Sequence, residues 1–261
     1  MKYFIAGDFH GSNLEGLEFE IEKIDPDVAI FTGDYDQVKT IHQARAIQKD
    51  LKRKGKKVVN VPGNHDEAIL NDMSIWSGTL RRQGKTSEEL HEELMQDKEA
   101  KDFIDGLVNS KIPGYTNNRV RIHLDEEQFG DLYQTIVIHG GYDGSLRSWP
   151  NCPEEIKNLW VRLNNQFDHK KNFDVMESKE YKVMLRGHDH EPSYTYNDPK
   201  KGIVTYEPKG EGDFYRLFEH RQHTITPGAF FDGWFALIDT KRPGEKVPTV
   251  EYRKMPHVKT F

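Results

Sequence analysis

The chain has 261 residues and a net charge of -6, with 35% hydrophobic and 31% charged residues. This length suits one large domain or two small ones, and the negative balance excludes a general attraction for nucleic acid backbones or anionic membranes. The single cysteine, Cys152, excludes an intrachain disulfide and fits a reducing compartment. With no signal peptide and no apolar run long enough to cross a bilayer, the expected location is the cytoplasm.

The first apolar run, Lys2-Tyr3-Phe4-Ile5-Ala6, suits a buried strand and stops at Gly7-Asp8-Phe9-His10-Gly11. Asp8 and His10 are two residues apart, so an extended segment would aim both the same way. Ser12 is a plausible N-cap for a helix whose apolar positions are Leu14, Leu17, Ile21 and Ile24, ending at Asp25-Pro26. A second strand, Val28 to Phe31, leads into Thr32-Gly33-Asp34-Tyr35-Asp36. A second helix buries Val38, Ile41, Ala44, Ile47 and Leu51 and closes at Gly55. A third strand, Val58 to Val61, leads into Pro62-Gly63-Asn64-His65-Asp66. Strands alternating with helices predict a parallel sheet with these three loops on one edge. That edge is where ligands collect in open α/β sheets.

Residues 67–118 are polar, charge-rich and mostly helical in pattern, and read as a cap-like insertion within a single domain spanning 1–261. Strand-like runs resume at Val120–Leu124 and at Thr135–Ile138, the latter followed by His139-Gly140-Gly141. A loop and a helix carrying Leu159-Trp160-Val161-Arg162 come next. Lys182–Arg186 then leads into Gly187-His188-Asp189-His190. The short runs at 202–206, 225–229, 234–239 and 250–252 predict a second, mainly antiparallel sheet packed on the first. The expected architecture is α/β, a four-layer αββα sandwich of two mixed sheets flanked by helices, with a helical insertion.

Five loops follow apolar runs, contain glycine and carry metal-capable side chains: Asp8, His10, Asp34, Asn64, His65, His139, His188 and His190. Imidazole, carboxylate and amide oxygen together suit first-row transition metals. Eight such groups are too many for one ion. Two ions about 3.5–4 Å apart, sharing a carboxylate, would use them and clamp an in-line phosphoryl displacement.

In chain order, these blocks resemble the five motifs of the calcineurin-like metallophosphoesterase superfamily: Gly7-Asp8-Phe9-His10-Gly11, Gly33-Asp34, Gly63-Asn64-His65-Asp66, His139-Gly140 and Gly187-His188-Asp189-His190. Leu159-Trp160-Val161-Arg162 and Thr226-Pro227-Gly228-Ala229 are similar to later motifs of its phosphoprotein phosphatase and diadenosine tetraphosphatase branch. The resemblance implies that one divalent ion is held by Asp8, His10, Asp34 and His190, and a second by Asp34, Asn64, His139 and His188. Manganese leads as the metal, with iron, zinc, cobalt or nickel as the others. It further implies a metal-bound hydroxide as nucleophile, His65 as donor to the ester oxygens, and Asp66 as the group that orients the His65 ring.

One departure stands out. The branch carries an arginine after its second block to grip phosphate, whereas this chain has Gln37. Arg162 is the first candidate to take over. Arg81, Arg82 and Arg186 are the others, although strand alternation can turn Arg186 away from the metals. The leading expectation is a phosphoprotein-phosphatase-like phosphomonoesterase acting on a phosphorylated protein, nucleotide or small ester. The alternatives are a dinucleoside polyphosphate hydrolase and a nucleic-acid phosphodiesterase. From another class comes a non-catalytic binding module on the same scaffold. No membrane partner is expected, and a nucleic acid partner is not favoured.

Overall fold

The computed structural model describes residues 1–74, 80, 83–109, 121–124, 132, 134–142, 157–210, 212–255 and 258. The opening unit is β1 (Lys2–Ala6), α1 (Glu15–Ile24), β2 (Val28–Phe31), α2 (Val38–Arg53) and β3 (Lys57–Asn60). Its three strands pair in parallel in the order β3-β2-β1, as the βαβαβ pattern requires. Ser12 does not cap α1. Its hydroxyl bonds back to the Phe9 carbonyl, and Leu14 stands at the cap position.

The helices α3 (Asn64–Leu70), α4 (Ser87–Gln96) and α5 (Lys98–Asn109) follow β3. Helix α4 starts at a capping box. Thr86 Oγ1 accepts from the Glu89 N–H at 3.2 Å, and Glu89 Oε2 accepts from the Thr86 N–H at 2.7 Å. The expected insertion, 67–118, therefore begins inside α3. The charged residues of α4 and α5 are exposed or half-buried, while Leu90, Leu94, Ala100, Ile104 and Val108 join the same apolar cluster as α1 and α2.

The second half supplies β4 (Arg121–Leu124), β5 (Thr135–Ile138), α6 (Gln166–Ser178), β6 (Val183–Arg186), β7 (Ser193–Asp198), β8 (Gly202–Tyr206), β9 (Phe214–Arg216), β10 (His223–Thr226), β11 (Trp234–Asp239) and β12 (Thr249–Lys254). These strands do not all enter the second sheet, as their short lengths and tight turns suggested. Strand β11 pairs antiparallel with β1, and β12 and β9 continue outward. The first sheet thus reads β3-β2-β1-β11-β12-β9, and the second β4-β5-β6-β10-β7-β8. The second is also mixed, since β6 lies parallel to both β5 and β10. A second difference concerns Leu159–Arg162. Only Leu159 lies in a short 3-10 turn (Lys157–Leu159); Trp160, Val161 and Arg162 run irregularly before α6 begins.

Alternation along the strands separates three apolar layers. Tyr3, Ile5, Val28 and Ile30 face the second sheet and meet Val137, Val183, Leu185 and Ile225 there. Phe4, Ala6, Ala29 and Phe31 face outward against α1 and α2. Ile136, Ile138 and Met184 pack on the other side against Phe173 and Met176 of α6. Both faces of each central strand are buried, which is why their sequences are continuous apolar runs. The helices lie outside, so the architecture is the four-layer sandwich expected.

Ile30 is fully buried between the sheets, whereas Phe19 on α1 is 65% exposed. Ile30→Ala should cost about 2–5 kcal/mol of unfolding free energy, because the void it leaves lies between two sheets that cannot collapse onto it. Phe19→Ala should stay within about 0.5 kcal/mol of the parent. Urea denaturation of both variants checks this, and equal midpoints would contradict the layer assignment.

Candidate metal centre

The loops that follow β1 and β2 remain zipped after their strands end. Asp8 N donates to Gly33 O at 3.0 Å, His10 N to Asp34 O at 2.7 Å, and Gly11 N to Tyr35 O at 3.1 Å. The third loop is tied in by Asp66, whose carboxylate accepts from the backbone N–H groups of Gly63, Asp34 and Tyr35 at 2.8–2.9 Å. The second sheet joins through His188, whose backbone N–H donates to Asp8 Oδ1 at 2.9 Å. Two glycines are sterically required here. Gly33 has φ +82°, and a Cβ on it would overlap the Gly63 backbone; a Cβ on Gly63 would overlap the Asp34 carboxylate.

The expectation that Asp8 and His10 point together from an extended segment is replaced by a different geometry. Asp8, His10, Asp34, Asp36, His188 and His190 all have φ between +42° and +72°. Each pair, two residues apart, kinks the backbone into the left-handed region twice. Non-glycine residues rarely adopt this conformation, and each costs on the order of 1–3 kcal/mol unless the surroundings hold it there. Six of the ten such residues among the described ones lie in these three loops, so the strain is concentrated where the side chains converge.

The convergence forms two adjoining sets. In the first, the donor atoms of Asp8, His10, Asp34 and His190 all lie within 4.8 Å of one another. His10 Nε2 and His190 Nε2 are 3.1 Å apart, His10 Nε2 and Asp34 Oδ2 3.4 Å, and His190 Nε2 and Asp8 Oδ1 3.6 Å. Ligands about 2.0–2.2 Å from one ion are separated by distances of this order. In the second set, His139 Nε2 lies 2.9 Å from Asn64 Oδ1 and 3.3 Å from Asp34 Oδ2. The His188 ring packs edge-on to His139, with centroids 5.2 Å apart. Asp34 Oδ2 belongs to both sets, is buried, and accepts no hydrogen bond from a described residue. An ionised oxygen of this kind needs a cation. The donor set thus fits two ions that share Asp34.

The surroundings prepare the rings for ligation. His139 Nδ1 donates to the Thr32 carbonyl at 2.5 Å and His10 Nδ1 to Asp36 Oδ2 at 2.9 Å, which leaves Nε2 of each facing the carboxylates. Burial opposes charge on His139, but Asp34 and Asp8 win and push its pKa up to about 9. A positive charge is therefore favoured at the point where an ion would sit. Burial, together with the charges of His139 and Arg162, holds His188 well below the usual histidine range, so it is neutral. Burial likewise lowers His190. Asp34 is held well below its ordinary value, because the neighbouring His139, His65 and His10 outweigh its burial.

Two expected roles need correction. Asp66 does not orient His65, because its oxygens are engaged by backbone N–H groups, and burial beside the charged Asp34 raises its pKa to about 7. The partner of His65 Nδ1 is Asp36 Oδ1, at 3.0 Å. Asp36 was missed from the sequence, although its spacing from Asp34 repeats that of Asp8 and His10 and of His188 and His190. Arg186 does not face the centre. It is fully buried, with Nε donating to Gly140 O at 2.6 Å, one terminal nitrogen to Val161 O at 3.1 Å and the other paired with Asp189. Arg162 is exposed and makes no hydrogen bond to a described residue, yet it is near enough for its charge to act on His188, Asp189 and His190. Arg81 and Arg82 lie outside the described residues.

A family model described as calcineurin-like phosphoesterase matches residues 1–192. Among solved structures, a metallophosphoesterase from Sphaerobacter thermophilus aligns at 18% identity with a TM-score of 0.60, over 98% of this chain and 89% of that one. A hypothetical protein from Pyrococcus horikoshii OT3 aligns at 12% identity with a TM-score of 0.56, also over 98% and 89%. At these identities both speak for the fold. No curated protein matches the chain.

The expected ligand set leaves out His65, although His10, Asp36 and His65 also bring donor atoms within 4.8 Å of one another. Asp34→Asn should deplete both metal sites, because it weakens the oxygen they share. His65→Ala should leave about two divalent ions per chain. Elemental analysis after dialysis against manganese checks this; loss of metal from His65→Ala would place His65 among the ligands.

Proposed function

The chain belongs to the calcineurin-like phosphoesterase family of metal-dependent hydrolases, and we propose that it cleaves phosphomonoesters, with Arg162 gripping the phosphate and His65 supplying the leaving-group proton. Asp8, His10, Asp34 and His190 would hold one ion and Asp34, Asn64, His139 and His188 the other, and the pair would supply Lewis acidity and a water of pKa near about 7. Manganese is the first metal to supply, followed by iron, zinc, cobalt or nickel, since mixed imidazole, carboxylate and amide donors suit first-row transition metals as a class.

The protein's own residues account for the remaining steps. His65 is buried, which lowers its pKa, but Asp36 and Asp34 outweigh that and push it up to about 9. In the metal-free protein it is therefore charged at neutral pH. Its Nδ1 proton is committed to Asp36, so the Nε2 proton is the one available to the departing ester oxygen.

The observation that carries the monoester reading is Arg162. A phosphate dianion presents oxygens beyond those the ions neutralise, and a planar guanidinium can hold two of them at once. Gln37 is buried where the related phosphatases place an arginine, and Arg186 is fully engaged elsewhere. Among the described candidates that leaves Arg162, exposed and near enough for its charge to act on His188 and His190. The resemblance to phosphoprotein phosphatases supports phosphorylated proteins as the first substrates to try. The buried Gln37 also favours a second reading, a diesterase, because a diester carries one charge less and needs less of this grip. Diadenosine tetraphosphate is the natural nucleotide substrate to include beside it.

The two readings separate in one experiment on the manganese-loaded protein, comparing p-nitrophenyl phosphate with bis-p-nitrophenyl phosphate. Arg162→Lys should raise KM for the monoester roughly tenfold, the scale of one lost charge-assisted bidentate contact, with metal content unchanged. The diester should be affected less than about threefold by the same reasoning. If Arg162→Lys matches the parent on the monoester while the diester is turned over faster, the diesterase reading replaces this one.

A further inference from the structure

We propose that Gln83, contributed by the helical insertion, is a positioning residue for the centre: its side-chain amide fixes the Asp36 carboxylate, and through it the His10 and His65 rings. The proposal rests on the reading of His65 as proton donor, but not on the choice between mono- and diesters.

Asp36 is 2% exposed and receives three donors. His65 Nδ1 lies 3.0 Å from Oδ1; His10 Nδ1 lies 2.9 Å and Gln83 Nε2 2.7 Å from Oδ2. The rings it engages have different tasks, one in the ligand set and one beside it, and their centroids are 4.7 Å apart. One imidazole engages each oxygen, and the third donor, which comes from outside the loops that carry Asp36, His10 and His65, adds a further restraint on rotation about the Cβ–Cγ bond.

The Gln83 amide can sit in only one orientation. Its Oε1 accepts from Gln37 Nε2 at 3.1 Å, and reversing the amide would set its carbonyl oxygen against the Asp36 carboxylate. Gln37 is itself held, being buried and packed against Gly11, where a Cβ would come within 2.7 Å of its Nε2. On the other side, Leu80 is 3% exposed within the outer apolar cluster, and the Lys85 N–H returns to its carbonyl at 3.3 Å. Gln83 thus lies between two residues joined by a backbone hydrogen bond, one of them buried in the core. The position that carries a phosphate-gripping arginine in the resembling branch is here occupied by a glutamine that orients another glutamine. The consequence is that docking of the insertion is reported directly to the proton donor.

The test compares Gln83→Met, which keeps the volume and removes the donor, with Gln83→Glu, which sets a carboxylate against Asp36. Both are made in the full chain and checked for unchanged thermal unfolding and metal content. In the manganese-loaded protein, Gln83→Met should lower kcat for phenyl phosphate roughly tenfold, part of the about 10²–10⁴-fold a general acid supplies. KM should stay within about twofold, and p-nitrophenyl phosphate, whose leaving group needs little protonation, should lose less than about threefold. Gln83→Glu should be worse on phenyl phosphate. In the metal-free protein, the histidine ring resonances of His10 and His65 should shift in both variants, while those of His223 on β10 stay in place. Equal loss on both phosphates, or unmoved His10 and His65 resonances, would overturn the proposal. The metal-free spectra read the positioning even if neither phosphate proves to be a substrate.

Discussion

The structure depends on a concentration of buried negative charge, which in the metal-free protein draws the pKa of His65 and His139 up to about 9. Asp8, Asp34, Asp36 and Asp66 are all buried at one edge of the sandwich, the first three in loops zipped together by backbone hydrogen bonds and Asp66 in the first turn of α3. Asp36 is satisfied by His10, His65 and Gln83, and Asp66 by three backbone N–H groups. Asp34 keeps an oxygen without a hydrogen-bond partner among the described residues, with His139 Nε2 3.3 Å away. A charged oxygen sealed from water is costly unless a cation meets it. The left-handed backbone at six loop residues, the raised pKa of His139 and the glycines packed against Asp34 all follow from bringing these groups together.

The layered packing serves the same end. Parallel pairing of β1, β2 and β3 places their C-terminal loops side by side, and β6, running parallel to β5 within the second sheet, brings His188 and His190 to that edge. Interdigitation of Tyr3, Ile5 and Ile30 with Val137 and Leu185 then fixes the two halves of the centre relative to each other. The inter-sheet core thus acts as the rigid frame on which ligand positions depend.

Much of this was legible in the sequence. Apolar runs ending in glycine and polar residues marked β1, β2, β5 and β6, because strands buried on both faces have no alternation to hide them. Membership of the sheets was not legible. Strand β11 returns to β1 across more than two hundred residues, a pairing that no local pattern encodes. The role of Asp36 was missed because motif spacing names the residues but not the direction in which each ring turns. Arg186 was a candidate through its position next to the His188 turn, and the alternation that counted against it does send it to the outer face with Met184. Gln83 carries no signal of its own; its meaning arises from a carboxylate forty-seven residues earlier.

The ligand set also spans the chain in an unusual way. Its members run from Asp8 to His190, and they come from both sheets. Ions held there would act as a covalent-like staple, tying the first strand to a loop some 180 residues onward. Long closures of this kind remove the most freedom from an unfolded chain, much as a disulfide would. With one cysteine, this protein has no intrachain disulfide to use for that purpose. Metal supply would therefore govern its persistence as well as its chemistry, since a ligand that binds only the folded state shifts the folding equilibrium toward it. Under scarcity of the ion, abundance would fall together with specific activity.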